Sequence, residues 1–192
     1  MPQYLSRTDV AKELMTECGD QIVICAIGTP VSDIAGTGDR LLNFYLLGAM
    51  GSAASVGLGL ALAQPQRSVL VVTGDSELMM NIGMLATIAV KRPKNLSIVV
   101  FDNEQFGETG EQTSHTAFGV DIAAIAAASG FTNTATIRDQ QFVSGMARQT
   151  RKMDGPHLAV IKVKGGRVPV VIPEKDGVVL KSRFRRALLG TR

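Results

Sequence analysis

Residues 68–103 of the chain form the stretch SVLVVTGDSELMMNIGMLATIAVKRPKNLSIVVFDN. It begins and ends with continuous apolar runs, Ser68–Thr73 and Leu96–Phe101, which predict strands buried on both faces. Between them, Met79–Val90 carries apolar residues at helical spacing, and Pro93 ends that pattern. A strand, a helix and a second strand of these lengths predict parallel strands joined by a right-handed crossover.

The same alternation extends along the chain in both directions. Further strands are predicted at Gln21–Ile27, Leu41–Tyr45, Thr132–Ile137 and His157–Val163. Further helices are predicted at Ser6–Glu17, Gly48–Ala63, Asp121–Ser129 and Gln140–Lys152, and residues 103–119 are expected to form a long loop. We therefore expect a three-layer α/β/α fold around a mostly parallel sheet of about six strands.

Charge is unevenly distributed along the 192 residues. The chain has 20 basic and 17 acidic side chains, a net charge of +3, but residues 181–192 hold five basic side chains and no acidic one. Over residues 1–180 the balance is 15 basic against 17 acidic residues, so the body is slightly acidic. We predict one domain over 1–180 and a basic tail over 181–192, which is either a solvated helix or a clamp on a partner. Without a basic face carrying interleaved aromatic residues, no nucleic-acid partner is expected.

Cysteine content and hydropathy indicate the cellular setting. Cys18 and Cys25 have no nearby histidine, so they do not form a metal-binding pattern and are expected to be small core residues. The apolar segment Leu46–Ala63 contains four glycines and two serines, which favour a buried helix over a membrane-spanning one. The chain opens without a signal-peptide pattern, and we expect a cytoplasmic protein without membrane contact.

Polar residues follow the predicted strands at one edge of the sheet, where ligands of such folds bind. Asp75 follows one strand and opens a helix, whose N-terminus favours phosphate. A carboxylate can hold a phosphate there only through a divalent cation, and Asn103 offers a second oxygen ligand after the next strand. On these residues alone, a helix cap at Asp75 and a turn at Asn103 explain the pattern equally well.

A longer match distinguishes between these alternatives. The run from Val72 to Gly107 resembles the signature of thiamine-diphosphate enzymes, in which Gly-Asp-Gly is followed, one helix and one strand later, by Asn-Asn or Asp-Asn. The resemblance implies thiamine diphosphate and Mg²⁺ as cofactors. It implies Asp75, Asn103 and the backbone carbonyl of Gln105 as metal ligands. Ser76 replaces the second glycine of the signature.

A second motif, Gly48–Ala53 (GAMGSA), resembles the loop that holds the aminopyrimidine end of thiamine. By this resemblance, Met50 would support the bent cofactor and the Gly48 carbonyl would accept a hydrogen bond from its amine. The alternative is that Met50 is a core side chain under a glycine-rich helix. The full set implied to bind cofactor is Gly48, Met50, Gly74, Asp75, Ser76, Glu77, Asn103, Gln105, Phe106 and Gly107.

Within that family the chain looks most like the β-type subunits, or C-terminal halves, of sulfopyruvate and phosphonopyruvate decarboxylases. The shared segments are Phe106–Gly110 (FGETG) and Leu85–Ala89 (LATIA). The resemblance implies decarboxylation of a small anionic 2-oxo acid. Ser76, Glu108 and Glu111 stand where small residues are usual, which leaves the substrate open.

The family's activating glutamate lies in a separate pyrimidine-binding domain, so no catalytic residue is assigned to this chain. Glu104, Glu108 and Glu111 belong to the loop beside the diphosphate and are interpreted as solvated or substrate-side groups, and His115 as either exposed or in contact with substrate. We therefore expect a hetero-oligomer, α2β2 or larger, with a separate pyrimidine-binding subunit. The alternatives are a thiamine-dependent carboligase or carbon–carbon lyase subunit, and a non-catalytic scaffold subunit.

Overall fold

A sheet of six parallel strands organises the structure, a computed structural model that describes residues 4–166 and 170–190. The eight strands are, in chain order, β1 (Ile22–Cys25), β2 (Asn43–Tyr45), β3 (Val69–Gly74), β4 (Leu96–Asp102), β5 (Gln105–Phe106), β6 (Gln112–Thr113), β7 (Asn133–Ile137) and β8 (His157–Lys162). The main sheet has the order β2-β1-β3-β4-β8-β7, and β5 and β6 form a separate antiparallel hairpin. The predicted parallel sheet of about six strands is confirmed.

Helices connect the strands and cover both faces of the sheet. They are α1 (Arg7–Glu17), α2 (Thr29–Ala35), α3 (Ala53–Ala63), α4 (Asp75–Met79), α5 (Met84–Lys91), α6 (Ile122–Ser129), α7 (Val143–Gln149) and α8 (Gly177–Leu189), with 3₁₀ turns at His115–Phe118 and Gln140–Phe142. Residues 1–3 and 167–169 of the predicted domain, and 191–192 of the predicted tail, lie outside the described residues.

Alternation along the central strands builds the two apolar layers. Val69 and Val71 of β3 face a cluster formed with α3, α5 and α6, whereas Leu70 and Val72 face one formed with α1, α2 and α7. Because both faces are covered, the central strands are continuous apolar runs. Helix α8 adds to this packing beside the edge strand β2, where the rings of Phe44 and Phe184 lie 5.2 Å apart.

Two helix predictions were wrong in their bounds. The helix predicted over Met79–Val90 begins only at Met84, as α5, because Met79 ends α4 and the chain then turns at residues 80–83, where the Asn81 amide donates to the Gly51 carbonyl at 2.9 Å. The helix predicted over Gly48–Ala63 begins at Ala53, because the preceding residues form a loop in which Gly51 has a φ of +74°. Only glycine adopts that backbone conformation at low cost.

Three further segments differ from the prediction in detail. No strand or helix is predicted for residues 28–40, but they contain the helix α2, which has Pro30 in its first turn. The predicted loop 103–119 holds the hairpin and a 3₁₀ turn, and the predicted helix Gln140–Lys152 begins as a 3₁₀ turn and ends at Gln149. Cys18 and Cys25 are buried, as expected. Within the described ranges, no helix is both long and apolar enough to cross a membrane.

The close approach of α3 to β3 depends on one glycine. A Cβ atom added at Gly57 would lie 2.2 Å from Cγ2 of Val71, a buried side chain that has little rotamer freedom. A Cβ added at Gly59, two residues further along and on the opposite, exposed side of the helix, would meet no atom within 4 Å. The two glycines therefore have different roles within one helix.

We predict opposite effects for Gly57→Ala and Gly59→Ala. Gly57→Ala overpacks the α3–β3 contact and lowers the free energy of unfolding by about 1–3 kcal/mol. Gly59→Ala raises it by about 0.5–1 kcal/mol, because alanine favours the helix. Urea unfolding of both variants measures these changes, and equal stability of the two would contradict the predicted contact.

Candidate functional site

A cavity of about 240 Å³ lies at the carboxyl ends of β3 and β4. It is lined by nine of the ten residues that the sequence predicts to bind cofactor: Met50, Gly74, Asp75, Ser76, Glu77, Asn103, Gln105, Phe106 and Gly107. The tenth, Gly48, is exposed and does not line this cavity. Residues that are distant in sequence are thus brought together at the edge where parallel sheets bind their ligands.

Asp75 is a buried carboxylate of this cavity, with only 1 % of its surface exposed. Its Oδ2 accepts hydrogen bonds from the Ser114 hydroxyl and, at 3.2 Å, from Thr116 Oγ1. Burial raises the pKa of Asp75 to about 6; the charge of Asp102 adds to this rise, and the two hydroxyls oppose it. Because both hydroxyls donate to Oδ2, the other carboxylate oxygen, Oδ1, takes no part in these two hydrogen bonds. A cation beside Asp75 would relieve an unfavourable buried charge.

A second buried carboxylate, Asp102, ends the neighbouring strand. Its Oδ2 lies 2.7 Å from Nζ of Lys162, which faces it across the β4–β8 pairing. Lys162 Nζ also lies 2.7 Å from Oε1 of Glu104, whose Oε2 accepts a hydrogen bond from the Tyr4 hydroxyl. Burial alone would lower the pKa of Lys162, but its bonds to the two carboxylates outweigh burial and raise it. The pKa of Glu104 is lowered, because its bonds to Lys162 and Tyr4 outweigh burial.

Thr116 joins the two carboxylates. Its Oγ1 lies 2.7 Å from Oδ1 of Asp102 and 3.2 Å from Oδ2 of Asp75. Ser114, Thr116 and Lys162 were not identified from the sequence. The sequence does offer a signal for Lys162, because this residue is the only charged one in the otherwise apolar run His157–Val163. It offers no such signal for Ser114 and Thr116, because their role depends on how the loop folds back onto the strand ends.

The predicted oxygen ligands other than Asp75 lie in one short turn. Asn103 Oδ1 accepts a hydrogen bond from the backbone N–H of Gln105 at 3.1 Å. The backbone carbonyl of Gln105 accepts one from the Ser76 hydroxyl at 3.3 Å, which brings this turn against the start of α4. Ser76, the departure from the family signature, therefore contacts the predicted ligand directly.

This donor set fits Mg²⁺, which prefers a carboxylate or amide oxygen together with phosphate oxygens and water. In the part of the chain that the structure describes, no three His, Cys, Asp or Glu side chains are grouped to hold a metal ion. A cation at this cavity would therefore depend on the neutral oxygens of Asn103 and Gln105 as well as on Asp75.

Glu77 connects the two predicted motifs. Its Oε1 accepts hydrogen bonds from the backbone N–H groups of Ser52 at 3.0 Å and Ala53 at 3.3 Å, at the start of α3, and its Oε2 accepts one from the Thr73 hydroxyl. The carboxylate thus satisfies free donors at a helix N-terminus. Met50, in the loop that Glu77 holds, is 44 % exposed and lines the cavity, so the alternative of a core methionine is wrong.

The remaining charged residues of the loop differ in their surroundings. Glu104 is committed to Lys162 and Tyr4, whereas Glu108 and Glu111 are exposed. Of these three glutamates, only Glu108 lines the cavity. His115 is exposed, and its ring lies edge-on to Phe106 at a centroid distance of 6.4 Å.

Comparisons with known proteins agree with the motifs. A family model described as the C-terminal TPP-binding domain of thiamine pyrophosphate enzymes matches residues 27–163. The β subunit of sulfopyruvate decarboxylase from Methanothermobacter thermautotrophicus is 36 % identical over 186 residues, 97 % of this chain and 97 % of that relative. Phosphonopyruvate decarboxylase from Streptomyces viridochromogenes is 37 % identical over 147 residues, 77 % of this chain and 36 % of that relative.

Solved structures have the same fold. The 4-hydroxybenzoylformate decarboxylase of Rhodococcus jostii has a TM-score of 0.71 at 15 % identity, over 88 % of this chain and 34 % of that chain. Benzoylformate decarboxylase of Polynucleobacter necessarius has a TM-score of 0.70 at 17 % identity, over 86 % of this chain and 34 % of that chain. This chain therefore spans about a third of each solved chain, and the predicted α/β/α fold and family resemblance are confirmed.

We predict that Lys162→Met strongly destabilises the chain. Removal of the ammonium leaves the buried carboxylate of Asp102 without its cation, which costs about 3–5 kcal/mol. The control is Arg148→Met, which breaks an ion pair with Glu17 in which the Arg148 side chain is 59 % exposed. Its loss costs at most about 1 kcal/mol. Chemical unfolding at neutral pH measures both, and a Lys162→Met loss no larger than that of the control would contradict the role of the buried pair.

Proposed function

The chain belongs to the thiamine pyrophosphate enzymes, as their C-terminal TPP-binding domain, and from this membership we propose that it is the diphosphate-binding subunit of a 2-oxo acid decarboxylase. The enzyme would depend on thiamine diphosphate and Mg²⁺. The observation that carries the proposal is the buried carboxylate of Asp75, which lies in one cavity with the oxygen donors of Asn103 and Gln105. This arrangement suits a divalent cation that neutralises a diphosphate.

The cofactor, when bound, supplies an electron sink for the loss of carbon dioxide from a 2-oxo acid. In the proposal, Asp75, Asn103 and the Gln105 carbonyl bind Mg²⁺, and the metal binds the diphosphate. The hydroxyls of Ser114 and Thr116 orient the carboxylate of Asp75. Met50 would support the bent cofactor, and Glu77 fixes the loop that carries Met50.

A partner subunit completes the site in this proposal. The relative from Methanothermobacter thermautotrophicus matches over nearly its whole length and is named as a β subunit, which supports a division of the active site between two chains. The partner would carry the pyrimidine-binding domain and its activating glutamate, in an α2β2 or larger assembly. None of the residues Glu104, Glu108 and Glu111 is assigned that activating role, since all three belong to the loop beside the diphosphate-binding residues.

The substrate class follows from the relatives by analogy. They are named for sulfopyruvate and phosphonopyruvate, which are both small anionic 2-oxo acids. We propose a small anionic 2-oxo acid for this chain as well. Decarboxylation by the assembled complex, followed as carbon dioxide release from a panel of 2-oxo acids, tests the reaction; acyloin products without carbon dioxide release would favour carboligation.

We predict that Asp75→Asn removes cofactor binding while the chain still folds. In the assembled complex this variant loses Mg²⁺-dependent binding of thiamine diphosphate, because the only carboxylate of the proposed ligand set becomes neutral. Calorimetric titration of the complex with thiamine diphosphate at fixed Mg²⁺ measures the loss. Asp20→Asn is the control, because the side chain of Asp20 is 91 % exposed. Undiminished affinity in Asp75→Asn would refute the metal assignment.

The same variant has a second expected outcome without metal. The folded-state pKa of Asp75, about 6, lies above the usual value, so the folded chain loses stability as pH rises from about 4 to about 6, and the loss is complete above that range. Asp75→Asn therefore stabilises the metal-free chain by about 1–2 kcal/mol at pH 8, and the gain shrinks toward pH 4, where the aspartate is protonated in the folded state. Thermal unfolding at several pH values in EDTA measures this difference, and a loss of stability at pH 8 would contradict it.

A further inference from the structure

Glu108 contributes an acidic side chain to the cavity. Its Cγ lies 3.8 Å from the position that a Cβ atom would take at Gly28, and both residues line the cavity. Gly28 has a φ of +96° and no side chain, so the Cγ of Glu108 lies close to the backbone that joins β1 to α2. The Glu108 side chain thus lies beside one wall of the cavity.

The charges around the cavity have one sign. Its acidic residues are Asp75, Glu77 and Glu108, and none of the described residues that line it is Lys, Arg or His. Asp75 accepts two hydroxyl bonds and Glu77 caps α3, so both carboxylates have partners. Glu108 forms neither an ion pair nor a side-chain hydrogen bond within the described residues. Of the three carboxylates that line the cavity, only that of Glu108 has no hydrogen-bond or ion-pair partner among the described residues.

We propose that Glu108 is a specificity-determining residue that selects 2-oxo acids whose side chain carries no second negative charge. This inference rests on the proposed function and narrows its substrate class. A 2-oxo acid already brings one carboxylate, and a sulfonate, phosphonate or second carboxylate would add a like charge beside Glu108, which no lysine, arginine or histidine of the described cavity lining offsets. Charges several ångströms apart in a partly enclosed site repel strongly enough to change relative rates by about tenfold. The preferred substrate therefore has a neutral or cationic substituent.

Glu108→Gln in the assembled complex tests the proposal, because it removes the charge and keeps the shape. The ratio of kcat/KM for pyruvate to that for sulfopyruvate is measured at saturating thiamine diphosphate and Mg²⁺, with oxaloacetate as a second doubly charged substrate. The wild-type complex is expected to prefer pyruvate. Glu108→Gln is expected to raise kcat/KM for the doubly charged substrates about tenfold, with little change for pyruvate.

Glu111→Gln is the matched control, because Glu111 has the same charge in the same loop but does not line the cavity. It is expected to leave the ratio unchanged. A wild-type preference for the doubly charged substrates, or equal changes in Glu108→Gln and Glu111→Gln, would overturn the role of Glu108. A complex that binds thiamine diphosphate but releases carbon dioxide from no 2-oxo acid would instead overturn the proposed function, so the two failures are distinguishable.

Discussion

Two buried carboxylates, Asp75 and Asp102, lie at the carboxyl ends of the adjacent strands β3 and β4, in a sheet that is apolar on both faces. Because each of them needs polar partners, they determine the structure of this edge of the molecule. Asp102 is balanced by Lys162 across the β4–β8 pairing, and Asp75 is held by the hydroxyls of Ser114 and Thr116. Thr116 touches both carboxylates, so the loop after β4 must fold back over the strand ends. A carboxylate buried without a partner costs several kcal/mol, and this cost specifies the loop conformation as firmly as apolar packing specifies the layers.

Much of the fold could be predicted because its signals are local. The strands β3 and β4 are continuous apolar runs, and the motif residues follow them at fixed separations. The break between α4 and α5 could not be predicted, because the apolar period continues through it. At this break the Asn81 amide donates to the Gly51 carbonyl, a tertiary contact that the local sequence does not indicate. Tertiary contacts of this kind routinely override local helix propensity.

The site, like the fold, has a part that could be predicted from the sequence and a part that could not. Its wall was predictable from motif spacing, and nine of ten predicted residues line one cavity. Its supports were not: sequence alone did not indicate that Glu77 would cap the helix that follows Met50, or that Ser114 would reach Asp75. These contacts join residues more than twenty positions apart through one or two hydrogen bonds each, and neither composition nor periodicity carries that information.

The loop after β4 is held by hydrogen bonds at both ends and is exposed to solvent in the middle. Asn103 and Gln105 hold one end against α4, Ser114 and Thr116 hold the other, and residues 107–111 between them are exposed. Substitutions at residues 108–111 would therefore change the cavity lining at Glu108 and Thr109 without removing the hydrogen bonds that hold either end of the loop. A designer could alter selectivity by replacing these four residues alone, with the anchors and the predicted cofactor-binding residues kept.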